Sequence, residues 1–144
     1  RPTMPFRAFA LPFAALGLAA CVPPTQTGGE IFGVDWFLVG IEGQAVDWRA
    51  SLRLDGDKAG GQAPCNRWFA SNEVAFPAVA ITRIGATRMA CPELAAEQAY
   101  FETLEAMQRA ELDQGHLFLI GREGRLMEFA RDPGAPCLSC LARQ

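Results

Sequence analysis

The sequence has little of what catalysis, metal binding or nucleic-acid recognition commonly draws on. Its 144 residues include one histidine, His116, and one lysine, Lys58. A single imidazole leaves any metal site dependent on cysteines or carboxylates. There is no Lys/Arg cluster and the formal charge is -3, so the electrostatic footprint of a nucleic-acid binder is missing. No Gly-x-Ser-x-Gly elbow and no phosphate loop occurs. Asp55-Gly56-Asp57 is too short for a calcium loop and reads as a turn. Internal repeats and low-complexity tracts are lacking too. These absences point to a non-enzymatic protein without a cofactor or a resident metal, and without a nucleic-acid partner.

What is present begins with an address. Arg7 precedes an uncharged run, Ala8 to Ala20, that is too short to span a bilayer as a mature helix. A basic start, a short apolar stretch and small residues at its end describe a secretory signal over 1–20. The run closes on Leu18-Ala19-Ala20-Cys21, which resembles the lipobox of bacterial lipoproteins. That resemblance implies a diacylglycerol on the Cys21 thiol, and two or more acyl chains anchor a protein stably. Val22 follows the cysteine in place of Asp, which by the same resemblance implies the outer membrane, with the domain in the periplasm. Residues 21–30 then form a tether. Pro23-Pro24 favours extension and Gly28-Gly29 flexibility, with a reach of at most about 30 Å. Loss of Arg1 and Arg7 with the signal takes the basic count from 13 to 11 against 16 acids, and the charge from -3 to -5.

The body alternates strand and turn signals around one helix. Val34 to Ile41 is rich in β-branched and aromatic residues, and Ser51 to Leu54 alternates polar with apolar. A return strand over Ala59 to Gln62 carries two glycines, and Ala78 to Ile84 alternates again. Pro92 suits a first helical position, and no glycine or proline interrupts the chain from there to Ala110. Leu94, Phe101, Leu104 and Met107 fall on one face of that helix, and Glu93, Glu97, Glu102 and Glu105 read as its solvated side. Strands then flank Gln114-Gly115 and Gly121-Arg122-Glu123-Gly124. The expectation is an α+β fold, an antiparallel β-sheet meander packed on one main α-helix.

Several segments together resemble the META domain, also called HslJ-like. Trp36-Phe37-Leu38 with Ile41-Glu42-Gly43 matches its opening element, and Gly61-Gln62-Ala63-Pro64-Cys65-Asn66-Arg67 matches its Gly-x-x-Gly-Cys-Asn segment. Thr87-Arg88-Met89-Ala90-Cys91, the helix positions Glu97 and Phe101, and the closing pieces Leu117-Phe118-Leu119 and Leu126-Met127-Glu128-Phe129 follow in order. Pro64 departs from the family's usual Gly, and Trp68-Phe69-Ala70-Ser71 from its Gly-x-Tyr. The resemblance places the domain at 31–132, with a tail at 133–144. It implies an envelope or secreted protein linked to stress tolerance, heat shock and, in one member, drug resistance. It carries no reaction and no catalytic residues.

Four cysteines besides Cys21 in an oxidising compartment imply disulfides, with three possible connectivities. The resemblance favours Cys65 with Cys91, because their segments are the family's paired signature. Such a bridge is worth about 3.5 kcal/mol. Cys137-Leu138-Ser139-Cys140 remains as a local structural disulfide, a redox pair, half of a four-cysteine zinc site with Cys65 and Cys91, or a link from tail to body. The redox reading lacks a following helix to lower a thiol pKa. Asn66, Arg67, Thr87 and Arg88 are candidates for a ligand surface, against the reading that Asn66 and Thr87 satisfy backbone groups in turns. His116 reads as a surface or edge residue, and Trp48 and Trp68 as packing residues or interface anchors. The functional expectation is a binding or stress-tolerance role for a lipid-anchored envelope protein, with an envelope protein or small ligand as partner. The alternatives are an inhibitor or scavenger of a hydrolase or small toxic ligand, and a thiol-redox protein using the C-terminal Cys-x-x-Cys.

Overall fold

The computed structural model describes residues 28–142. The expected signal peptide, Cys21 and most of the tether lie outside the described residues. The chain folds as two antiparallel meanders that share a seam. The first runs through β1 (Trp36–Ile41), β2 (Gln44–Ala45), β3 (Ser51–Asp55), β4 (Lys58–Gln62), β5 (Arg67–Asn72) and β6 (Ile81–Ala86). The second follows the helix α1 (Leu94–Glu105) and comprises β7 (Met107–Asp113), β8 (His116–Gly121) and β9 (Leu126–Ala130). A short helical turn, α2 (Leu138–Leu141), closes the described chain. Among the described residues nine strands make one sheet, in the order β6-β5-β4-β3-β1-β9-β8-β7, with β2 beside β1. The architecture is α+β, an antiparallel sheet with one main helix packed on it.

The sheet stays open between its two outer strands. The segment before β6 nevertheless reaches β7: Val79 N donates to the Gln108 carbonyl at 2.8 Å, and Ala110 N to the Pro77 carbonyl at 2.8 Å. This use of residues 77–79 corrects the expected strand over 78–84, which begins at Ile81 instead. The expected return strand survives its glycines, because Gly61 is required where it stands. A Cβ there would fall 2.2 Å from the Ser51 carbonyl oxygen. That oxygen accepts from Trp68 Nε1 at 3.1 Å and from the Tyr100 hydroxyl at 3.0 Å.

The main core lies between the inner sheet face and α1. Trp36, Leu52, Leu54, Ile81, Leu117, Leu119, Met127 and Phe129 from the strands meet Tyr100 and Leu104 from the helix. Trp48 and Trp68 pack edge-on against Tyr100, so both belong to the packing around the helix. The helix stops at Glu105, well short of Ala110. Met107 to Ala110 are good helix formers, but their backbone pairs with β8, and ladder hydrogen bonds override propensity there. Leu94, expected on the inner face, is exposed.

A second, smaller cluster sits on the opposite face of the sheet. The register of β1 against β9 shifts between Leu38 and Gly40, leaving Val39 as an extra residue. Such a bulge re-aims side chains. Leu38 and Ile41 stay with the main core, while Val39 joins Ala130 and Cys137 in the outer cluster. The tail therefore covers the outer face of β1 and β9.

Candidate functional site

The family-signature segments meet at a buried carboxylate. Glu97, expected on the solvated side of its helix, is buried, which corrects that reading. Its Oε2 accepts from the backbone amides of Cys65 at 2.9 Å and Asn66 at 2.8 Å. Its Oε1 accepts from Asn66 Nδ2 at 2.7 Å. Asn66 Oδ1 in turn accepts from the Thr87 hydroxyl at 2.9 Å and from Met89 N at 2.7 Å. A disulfide joins Cys65 to Cys91 beside this network. Helix, turn and the 87–91 segment are thus locked by polar groups that satisfy one another.

This geometry divides the four candidate surface residues. Asn66 is 2 % exposed and its side chain is spent on the network, so it is not a ligand-facing residue. Arg67, Thr87 and Arg88 are exposed, and Thr87 Oγ1 also accepts from Arg67 N at 3.2 Å. Cys65, Cys91 and Glu93 form the one cluster of possible metal ligands found among the described residues. Its two sulfurs are joined to each other, and Cys137 and Cys140 form a separate disulfide, so the four-cysteine zinc arrangement is not assembled.

The less expected site lies on the outer face, at Glu128. This residue of β9 is fully buried, and it pairs across the strands with Gly40 of β1. Oε1 accepts from Leu138 N at 2.7 Å and contacts His116 Nδ1 at 2.7 Å. Oε2 accepts from Ser139 N at 2.8 Å and from the Ser139 hydroxyl at 2.5 Å. Burial by itself pushes the Glu128 carboxyl up; the Ser139 hydroxyl, the Ser139 and Leu138 amides and His116 outweigh it and hold the group below its ordinary value. His116 is consequently a buried partner of a carboxylate, which corrects its reading as a surface residue.

The Cys137–Cys140 disulfide caps this cluster. Cys137 Sγ lies 3.4 Å from Glu128 Oε2. The sulfurs occupy the space that a side chain at position 40 would take: a Cβ on Gly40 would fall 2.4 Å from Cys137 Sγ and 3.4 Å from Cys140 Sγ. Cys137 is the N-cap residue of α2, so a helical turn does follow the first cysteine, contrary to the expectation of none. Serine, carboxylate and histidine meet here with the carboxylate in the middle. Ser139 bonds Glu128 and not the imidazole, an order that fastens a carboxylate rather than activating a hydroxyl.

Beside Cys137 opens a cleft of about 530 Å³. Phe37, Val39, Val46, Trp48, Pro133 and Pro136 supply its apolar walls, with Arg49 and Gln62 among its polar groups. Sequence reasoning missed both Glu128 and the cleft. Glu128 sits at an outward position of an alternating strand, where a charge is ordinary, and the returning tail supplies one wall of the cleft.

Comparison with known proteins follows the same outline. The META domain family matches residues 29–134. No curated protein matches the chain. A protein from Burkholderia xenovorans solved by NMR shares the fold with a TM-score of 0.60 at 20% identity, over 85% of this chain and 99% of that one. A DUF4847 family protein from Bacteroides vulgatus, a crystal structure, aligns with a TM-score of 0.57 at 11% identity, over 75% of this chain and 99% of that one.

Proposed function

The chain belongs to the META domain family, and we propose that it is an exported envelope protein, anchored by lipid at Cys21 in the outer membrane, that works in the periplasm by binding rather than catalysis. The observation that carries this reading is the pairing of all four cysteines of the folded domain, Cys65 with Cys91 and Cys137 with Cys140. Two disulfides in so small a domain suit an oxidising compartment. Cys21 is then left over, at the end of an apolar run that resembles a lipobox. The stress-tolerance role rests on the family alone. Intact-mass analysis of protein extracted from membranes tests the reading. It is expected to give a chain starting at Cys21, carrying a diacylglycerol, with Cys65 and Cys91 resistant to alkylation. An unacylated, cytosolic chain in which Cys65 and Cys91 react as free thiols would overturn it.

The cleft beside Cys137 favours a second reading within the same compartment, a scavenger of small apolar or aromatic molecules. Its volume and its mix of apolar walls with a few polar groups are those of small-molecule sites. Titration with 1-anilinonaphthalene-8-sulfonate is expected to raise the probe's emission saturably, and Val46→Trp, which fills the cleft, to abolish the effect. Binding that Val46→Trp leaves unchanged would remove the cleft from consideration.

A further inference from the structure

We propose that Cys137 and Cys140 are a reversible dithiol–disulfide pair that exchanges electrons with dithiols, and that Glu128 is the positioning residue whose carboxylate holds the released Cys137 as a thiol. This inference goes beyond the binding role and depends on neither the lipid anchor nor the cleft.

The disulfide is not what holds the tail. Glu128 fastens Leu138 and Ser139 by two backbone amides and a hydroxyl, none of which involves sulfur. The ring closed between positions 137 and 140 is small, so the bridge removes little chain entropy. Opening it leaves the tail fastened at Leu138 and Ser139, so the two thiols stay near enough to close again. Cys65–Cys91 differs, since it spans 26 residues and braces the Asn66 network.

Cys140 is the more exposed and Cys137 the more buried. A thiolate of the incoming dithiol attacks Cys140 Sγ, a mixed disulfide forms there, and the bond between Cys140 and Cys137 breaks with its electron pair on Cys137 Sγ. A buried thiolate 3.4 Å from an ionised carboxylate is disfavoured by both desolvation and like charge, so Cys137 takes from solvent the proton that the donor gave up in forming its thiolate, and Glu128 stays ionised. The resulting S–H points its hydrogen at Glu128 Oε2, across the distance the oxidised sulfur already keeps. The second thiol of the donor then attacks its own sulfur in the mixed disulfide and releases Cys140 as a thiol. Two electrons and two protons pass from the donor dithiol to this pair, and the donor leaves as a disulfide. From β8, His116 is the titratable group facing Glu128; β1 offers Gly40, without charge; the tail offers the two cysteines themselves.

The full-length protein in glutathione redox buffers at pH 7, trapped by alkylation and read by mass, tests the proposal. Cys137 and Cys140 are expected to move reversibly between disulfide and dithiol while Cys65–Cys91 stays oxidised and circular dichroism is unchanged. In Cys137→Ser, a glutathione adduct is expected on Cys140. A pair that stays oxidised until the protein unfolds, or whose reduction unfolds it, would overturn the proposal. The role of Glu128 is read separately, from the alkylation rate of reduced Cys137. In the wild type this rate should rise only above the ordinary thiol value of about 8.5, and Glu128→Gln should speed it about tenfold at pH 7, one unit of thiol pKa. A wild-type profile at or below the ordinary value would remove Glu128 from the mechanism, even if the Gln variant fails to dock its tail.

Discussion

Gly40 and Glu128 face each other across β1 and β9, and the Cys137–Cys140 disulfide fits over the pair because Gly40 has no side chain. Gly40→Ala therefore places a methyl where Cys137 Sγ stands. The expected loss is about 1–3 kcal/mol, as for other overpacked sites. Cys137→Ala with Cys140→Ala should recover part of that loss, because both sulfurs leave the methyl's path. Urea denaturation of the single, double and triple variants measures the recovery; no recovery would mean that the methyl strains something other than the disulfide.

The two disulfides are expected to differ in worth. Removing Cys65–Cys91 by Cys65→Ser and Cys91→Ser should cost about 3.5 kcal/mol, whereas removing Cys137–Cys140 should cost about 2 kcal/mol or less. The difference follows from sequence separations of 26 and 3. Paired thermal and denaturant unfolding of the two double variants checks the order, and the reverse order would contradict the chain-entropy argument.

Glu97 and Asn66 should behave as one unit. Each single substitution to Ala leaves buried donors or acceptors without partners and is expected to cost about 1–3 kcal/mol. Because the second substitution removes groups already orphaned by the first, the double variant should cost less than the sum, with a coupling of about 0.5–3 kcal/mol. A double-mutant cycle yields that coupling directly, and simple additivity would show that the two side chains act apart.

Stability should depend on pH through Glu128. Its folded-state carboxyl titrates below its ordinary value, so the folded state binds the proton less readily than the unfolded chain. The contribution is thus fully present above the ordinary carboxylate range of about 4.3 and is lost as pH falls through the depressed folded value. The stability gap between wild type and Glu128→Gln is expected to be widest near neutrality and to close in acid. A gap that stays constant down to low pH would show that the ionised form is not what fastens the tail.

Much of the fold was legible locally. Gln114-Gly115 reads as a two-residue turn and sits as one between β7 and β8, and the glycine-flanked Arg122-Glu123 likewise separates β8 from β9. The alternation in Ser51 to Leu54 became β3, with Leu52 and Leu54 inside. These features are set by neighbours a few residues apart, within the reach of periodicity and turn chemistry. The site was less legible. Met107 to Ala110 look helical, and only pairing with β8, formed later in the chain, makes them a strand. Glu97 looks solvated until the turn at Cys65 and Asn66 folds over it.

What the sequence by itself determined is the alternation of strands, the tight turns, the presence of the main helix and the segments that carry the META domain's likeness, because each depends on short-range spacing of apolar, glycine and polar residues. Tertiary structure alone decided that Glu128 and His116 are buried together under a disulfide. An outward-facing carboxylate on a strand is exposed or enclosed according to what later folds across it, and here a bulge at Val39, a bare Gly40 and a returning tail supply the cover.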